Sequence, residues 1–239
     1  VYDAVLFGLP AGLIGARIYY IVFYPGQFQG ASFIDYIAIW NGGIAIYGGV
    51  IGAFLTVFIY SKVKKLSAPA FLDLIVLGFL IGQCIGRWGN FMNREAYGEV
   101  TDLPWKMGLT YNGVTTYVHP TFLYESLWNL IGFIIIHFLS KKRRYDGETL
   151  LMYLFWYGLG RAFIEGLRTD SLYIPNTGIR VSQLLAAVTC IAAAVLLVLN
   201  RTVIKHDEKE LFRNRFPEKS GVVIKPEETG ENDNNNMEV

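Results

Sequence analysis

The residues best equipped for chemistry in this chain are arginines set among amides, acids and glycines. In Gly86-Arg87-Trp88-Gly89-Asn90-Phe91-Met92-Asn93-Arg94-Glu95-Ala96-Tyr97-Gly98, Arg87 stands beside two side-chain amides, Asn90 and Asn93, and the carboxylate of Glu95. A planar guanidinium binds two phosphate oxygens at once, amides take the rest, and glycines such as Gly86, Gly89 and Gly98 let backbone approach closely. Further on, Arg161, Glu165 and Arg168 fall at i, i+4 and i+7, one stripe of a helix face on which Glu165 can hold both guanidinium groups. That stripe reads either as a structural ion-pair ladder or as a preorganised anion site. His119-Pro120 precedes Glu125, and an imidazole is the side chain that most readily takes a proton near neutrality, although it equally suits a polar helix cap. No His/Cys/carboxylate group has metal-ligand spacing, and neither a Gly-x-Ser-x-Gly elbow nor a Walker-type loop occurs. The expected chemistry is anion recognition without a metal or cofactor. His137 and His206 are assigned no role, and Cys84 and Cys190 sit inside apolar runs as packing residues.

The elements that must position these groups are membrane helices. The 239 residues are 53% hydrophobic and 15% aromatic with only 17% charged, and mean hydropathy is +0.34. A net charge of +1 gives no basic excess for nucleic acid. Six stretches, 4–24, 43–61, 70–88, 121–140, 148–167 and 180–200, approach the roughly 20 apolar residues needed to cross a bilayer. The fold class expected is therefore all-α, a polytopic transmembrane helical bundle over residues 1–200. Its connections at 25–42, 89–120 and 168–180 leave no room for a soluble domain, and the polar segment 201–239 is expected to stay solvated and disordered. No basic n-region of a signal peptide precedes the first apolar stretch, and the chain begins at Val1.

Lysine and arginine set the orientation, because cytoplasmic loops are enriched in them. Lys62, Lys64, Lys65, then Lys141, Lys142, Arg143, Arg144, then Arg201, Lys205, Lys209, Arg213 and Arg215 all fall at one end of the alternating spans. That end is expected in the cytoplasm together with the C-terminus. The connections 25–42, 89–120 and 168–180 are then outside, and the uncommon polar residues gather with them: Arg17, Tyr47, Arg87 to Gly98, His119, Tyr157, Arg161, Glu165 and Arg168. Ionisable groups at membrane depth cost about 2.5–3.5 kcal/mol each at a helix centre, so a convergence of them marks a site.

The run from Gly86 to Gly98 resembles the signature of the phosphatidylglycerol prolipoprotein diacylglyceryl transferases, Gly-Arg-x-Gly-Asn-Phe-x-Asn-x-Glu-x-x-Gly, at every fixed position. Gly15-Ala16-Arg17-Ile18-Tyr19-Tyr20, His119-Pro120-Thr121 with Tyr124-Glu125, and Tyr157-Gly158-Leu159-Gly160-Arg161 with Glu165 and Arg168 agree with it. The resemblance implies transfer of the diacylglyceryl group of phosphatidylglycerol to the lipobox cysteine thiol of a prolipoprotein signal peptide, in the bacterial cytoplasmic membrane and toward its outer leaflet. It implies essential arginines at Arg87 and Arg161; the chemistry of the residues themselves adds Glu165, to hold Arg161 or steer the thiol proton, and His119, as a reserve base, as further catalytic candidates. Asn90, Asn93, Glu95, Gly98, Tyr47, Arg17, Tyr157 and Arg168 then line the lipid site together with Arg87. It also implies a seventh helix ahead of Val1. Some members carry a histidine where this chain has Tyr47, and a phenol keeps its proton at neutral pH, so a base is not transferred to that position. An anionic-lipid transporter or flippase is the rival reading, and a membrane scaffold with paired arginines is a second.

Overall fold

Among the described residues 59 large apolar side chains are open to the surroundings, including Leu6, Phe7, Val22, Phe54, Phe58, Ile131, Phe138, Ile191 and Val198. Water would not tolerate that surface, and it is the outer wall of a helical membrane bundle. The computed structural model describes residues 2–171, 173–174 and 177–215. Its helices are α1 (Tyr2–Phe23), α2 (Phe33–Ile37), α3 (Ile46–Lys64), α4 (Ala68–Asn93), α5 (Thr121–Ser140), α6 (Glu148–Ile164), α7 (Val181–Thr202) and α8 (Phe212–Arg215). Among the described residues five helices, α1, α3, α4, α5 and α7, are long and apolar enough to cross a membrane. The sixth expected crossing is α6, whose 17 residues rise only about 25 Å before a short 3₁₀ turn at Glu165–Leu167.

The all-α expectation needs one correction. Between α4 and α5 the chain forms an antiparallel hairpin, β1 (Met107–Tyr111) and β2 (Val114–Val118). Its turn is Asn112-Gly113, with φ of 49° and 80°. That is the two-residue turn whose left-handed backbone matches strand twist, and the Asn-Gly pair is its strongest sequence cue.

Small residues and tryptophans set the helix contacts. α1 lies so close to α3 that a Cβ on Gly15, Gly48 or Gly52 would run into the facing backbone. α5 and α6 are joined by a reciprocal clasp. Trp128 Nε1 donates to the Trp156 carbonyl and Trp156 Nε1 to the Trp128 carbonyl, both at 2.9 Å. The two indoles stack at 4.5 Å. Each ring occupies the place where the other helix has a glycine, Gly132 beneath Trp156 and Gly160 beneath Trp128. Without a Cβ four residues on, the helix carbonyl keeps a lone pair accessible to the indole. Between α4 and α5, Trp88 Nε1 donates to Ser126 Oγ at 3.2 Å, and Ser126 Oγ donates to the Cys84 carbonyl at 2.9 Å. Val76, Leu80, Ile136, Met152 and Tyr153 form the core among α4, α5 and α6.

The lysine-rich end is closed by buried acids that sequence reading did not single out. Asp73 accepts the Gly147 and Leu150 N–H groups at 2.8 Å each, so a carboxylate on α4 caps the start of α6. Glu148 accepts the Arg144 N–H at 2.6 Å and pairs with Arg201 at 2.5 Å. The segment beyond α7 returns under this end. Leu211 is buried, His206 stacks on Tyr145 at 4.6 Å, and the Phe212 N–H donates to Asp146 Oδ2 at 3.1 Å. The segment 201–239, expected to stay solvated and disordered, is instead ordered over its first part, 201–215, against this end, because Leu211, His206 and Arg201 find partners there, and 216–239 lie outside the described residues.

Candidate functional site

At the opposite end three guanidinium groups close on one carboxylate. Arg87, in the last third of α4, pairs with Glu125 Oε2 at 2.6 Å. Arg161, one turn before the end of α6, donates to Glu125 Oε1 at 3.0 Å. Arg168, just past that helix, reaches the same oxygen at 3.3 Å. Glu125 is 4% exposed. It sits on the second turn of α5, where Ser126 and Asn129 are also buried. A single anion is thereby shared among three cations carried by elements far apart in sequence. The i, i+4, i+7 stripe also forms: Arg161 Nη2 lies 2.6 Å from Glu165 Oε2 and Arg168 Nε 3.9 Å from it. Ser171 Oγ donates to the other Glu165 oxygen at 2.8 Å.

Arg168 is fixed from outside by Asp170 through a two-pronged contact, Nε to Oδ1 at 2.9 Å and Nη2 to Oδ2 at 2.6 Å. The Arg168 hydrogen bond holds the Asp170 carboxyl below the usual carboxylate range, against the opposing effect of partial burial. Burial works against the Arg168 charge, yet Asp170, Glu125 and Glu165 together raise its affinity for the proton. Three arginines thus face three acids, Glu125, Glu165 and Asp170. Of the three acids Asp170, its side chain 47% exposed, is the one at the rim.

The polar run that follows Arg87 forms a second tier. Arg87 Nη1 donates to Asn90 Oδ1 at 3.3 Å, and the Asn90 and Asn93 amides both donate to Glu95 Oε1, at 3.0 and 3.2 Å. α4 ends at Arg94 with φ of 54°, which turns Glu95 back toward the helix. Gly78, Gly82, Gly86 and Gly89 have open space where a Cβ would be. At helical spacing they share a face with Asn90 and Asn93. Gly98 is the reverse case. Its N–H donates to the His119 carbonyl at 3.0 Å, it bridges Arg168, and a Cβ there would meet His119 Cβ at 2.6 Å.

Tyr157 lines a narrow space with Glu125, Arg161 and Asn129. His119 lies beside Gly98, half-buried. Arg17 goes elsewhere. Its guanidinium is taken up by backbone carbonyls, Tyr36 at 3.0 Å, Gly42 at 2.8 Å, and Gly43 and Asp35 at 2.5 Å. It pins the connection between α1 and α3 rather than joining the cluster. Tyr47, on α3, is half-exposed beside Tyr19. Among the described residues, no hydrogen bond or ion pair links Arg17 or Tyr47 to Arg87, Arg161 or Glu125. The group that sequence reading undervalued is Glu125: its distance from Arg87 and Arg161 along the chain conceals a shared contact, and its position in an apolar helix and in the stretch His119 to Glu125 were the signals for it.

A polytopic helical membrane protein with a cage of arginines about a buried acid at one end is what fold and site define. The family model described as prolipoprotein diacylglyceryl transferase matches residues 1–199, and the chain belongs to that family. It is 44% identical over 207 residues to the phosphatidylglycerol–prolipoprotein diacylglyceryl transferase of Streptococcus uberis, covering 84% of this chain and 79% of that protein. The same-named protein of Enterococcus faecalis is 46% identical over 215 residues, 84% of this chain and 75% of that one. That of Finegoldia magna is 43% identical over 211 residues, 87% and 82% respectively.

Proposed function

We propose that this chain is the transferase its relatives are named for, moving the diacylglyceryl group of phosphatidylglycerol to the lipobox cysteine thiol of prolipoproteins. The observation that carries the reading is the meeting of Arg87, Arg161 and Arg168 on Glu125. In the reaction the thiol sulfur attacks the glyceryl carbon bound to phosphate. A C–S bond forms, the C–O bond breaks with its electron pair passing to phosphate, and glycerol phosphate leaves. The proton lost by the thiol is balanced by the one the released monoester can carry. Negative charge grows on the departing oxygen, so cations that grip it more strongly in the transition state accelerate the step.

Arg87 and Arg161 are assigned the clamp on the phosphodiester, turning from Glu125 to the incoming phosphate, with Arg168 steadying Glu125 and Glu165. Asn90, Asn93 and Glu95 are assigned the glycerol headgroup, and the acyl part faces the open glycine side of α4. Glu165 holds Arg161 and is a candidate to receive the thiol proton. Tyr157 closes the site from α6. Arg17, Tyr47 and Gly98 shape its surroundings. No metal or organic cofactor is assigned a part.

The proposal includes a sixth crossing by the helix 148–164, residues 1–200 as the catalytic unit, and outer connections at 25–42, 89–120 and 168–180. Placement in the bacterial cytoplasmic membrane, with the lysine-rich end inside and the arginine cage toward the outer leaflet, follows from the charge count. A signal peptide crossing the same membrane brings its cysteine to that level. A flippase is less well supported, because the relatives that match most of the chain are all named as transferases.

The test is thioether formation by the purified chain in phosphatidylglycerol vesicles with a lipobox peptide. Arg87→Lys keeps the charge and loses the fork, and kcat is expected to fall about a hundredfold or more. Turnover near that of the unaltered chain sinks the clamp.

A further inference from the structure

Beside the arginine cage runs a short hydrogen-bond chain that the scheme above leaves unused. Trp105 Nε1 donates to Tyr124 Oη at 2.7 Å, and Tyr124 Oη lies 3.2 Å from His119 Nδ1. The His119 and Tyr124 rings meet edge to face at 6.1 Å. The backbone of His119 is tied on both sides: its N–H donates to the Glu99 carbonyl at 2.9 Å, and its carbonyl accepts from Gly98 at 3.0 Å and Thr121 at 2.9 Å. Gly98 in turn bridges Arg168, so the backbone of His119 is tied through one residue to the backbone that carries Arg168.

The chemistry of each partner fixes the direction of this chain. An indole N–H has no acceptor capacity, so the Tyr124 oxygen must accept from Trp105. The phenol carries one proton of its own. If His119 Nδ1 also carried a proton, the phenol would accept from both sides, and its own O–H, at the exposed end of the chain, would be left to water. Donation from Tyr124 Oη to Nδ1 satisfies all three groups. Nδ1 is then the acceptor, and the proton of the neutral ring sits on Nε2.

We propose that Trp105 and Tyr124 are positioning residues that lock His119 in its Nε2–H tautomer, so that His119 serves the transfer as an N–H donor to a phosphate oxygen and not as the base that takes the thiol proton. The donor role rests on the transferase reading; the lock does not. A neutral imidazole whose Nδ1 is engaged and whose Nε2 already bears a proton has no free lone pair for a thiol. Its N–H, in contrast, adds a directed donor where charge builds on the leaving group, as oxyanion-type stabilisation requires. Phenol and indole together make a stiff support, since neither has more than two rotatable side-chain bonds.

The test uses the whole chain with ¹⁵N-labelled histidine in phosphatidylglycerol nanodiscs, its His119 signals identified by their loss in His119→Gln. The expected result is Nδ1 unprotonated and Nε2 protonated in the unaltered chain. Tyr124→Phe is expected to turn the ring into a mixture of tautomers, and Trp105→Phe to do so less. In the transfer assay His119→Ala is expected to lower kcat about a hundredfold with little change in KM. His119→Gln, whose amide N–H stands near the Nε2 position, is expected to stay within about tenfold of the unaltered chain and to exceed His119→Asn, whose amide stands near Nδ1. A protonated Nδ1, or an Asn variant that outperforms the Gln variant, overturns the proposal. No transfer by the unaltered chain with the ring in its Nε2–H form overturns the donor role and the transferase reading together, and leaves the lock standing.

Discussion

Glu125 is the residue on which the arginines agree. A carboxylate at 4% exposure is costly to bury unless its oxygens are fully engaged, and here three guanidinium groups supply the partners. The same contact keeps Arg87, Arg161 and Arg168 from repelling one another while no phosphate is present. Glu125→Gln preserves the shape and removes the charge. In steady-state transfer assays KM for phosphatidylglycerol is expected to fall, because the arginines gain an unmet need for an anion, while kcat drops about tenfold or more as their spacing loosens. A rise in KM with kcat unchanged would refute that exchange of partners. At the rim, Asp170 stays ionised and bound to Arg168 at neutral pH. Its folded-state affinity for a proton is lowered, so the stability it lends is present above the unfolded carboxyl value of about 3.9 and is lost as the pH falls through the lower folded one.

At the scale of elements, the clasp of Trp128 and Trp156 sets how α5 stands against α6, and so how Glu125 meets Arg161. Trp128 lies one turn from Glu125 and Gly160 is next to Arg161, so a shift at the clasp reaches the ion pairs directly. A Cβ on Gly160 would fall within the Trp128 indole, which cannot turn aside without losing its bond to the Trp156 carbonyl. Gly160→Ala is expected to cost about 1–3 kcal/mol of stability, read as a lower thermal midpoint in detergent. Gly82→Ala meets nothing within 4 Å and is the control, expected to leave the midpoint unchanged or slightly higher. Equal losses in both variants would mean that the clasp is not what sets the helix spacing. The connection between α1 and α3 depends on a different lock, Arg17 bound to four of its backbone carbonyls.

For the molecule as a whole, two polar clusters close the bundle at its two ends. The arginine cage is one, and the other is anchored by Asp73, which joins α4 to the start of α6. Asp73→Ala leaves two buried N–H groups without partners, an expected loss on the order of 3 kcal/mol in reversible unfolding. Transfer is expected to decline along with it, because α4 carries Arg87 and α6 carries Arg161. Unaltered stability in that variant would show that water replaces the carboxylate.

The helical membrane character, the approximate span limits and the Arg161–Glu165–Arg168 stripe were legible in the sequence, because bilayer thickness and helical periodicity act on neighbours along the chain. The motif around Arg87 was equally local, and it was enough to place the chain among the prolipoprotein diacylglyceryl transferases. The hairpin at Asn112-Gly113 was also written there in its turn residues, yet apolar length outweighed it. What only the tertiary structure decided are the meetings between distant positions: Glu125 with Arg87 and Arg161, Arg17 with loop carbonyls, Trp105 with Tyr124 and His119, and Asp73 with the start of α6. Each depends on the rotation and height of one helix against another, which packing around glycines and tryptophans sets and which no spacing within a single helix encodes.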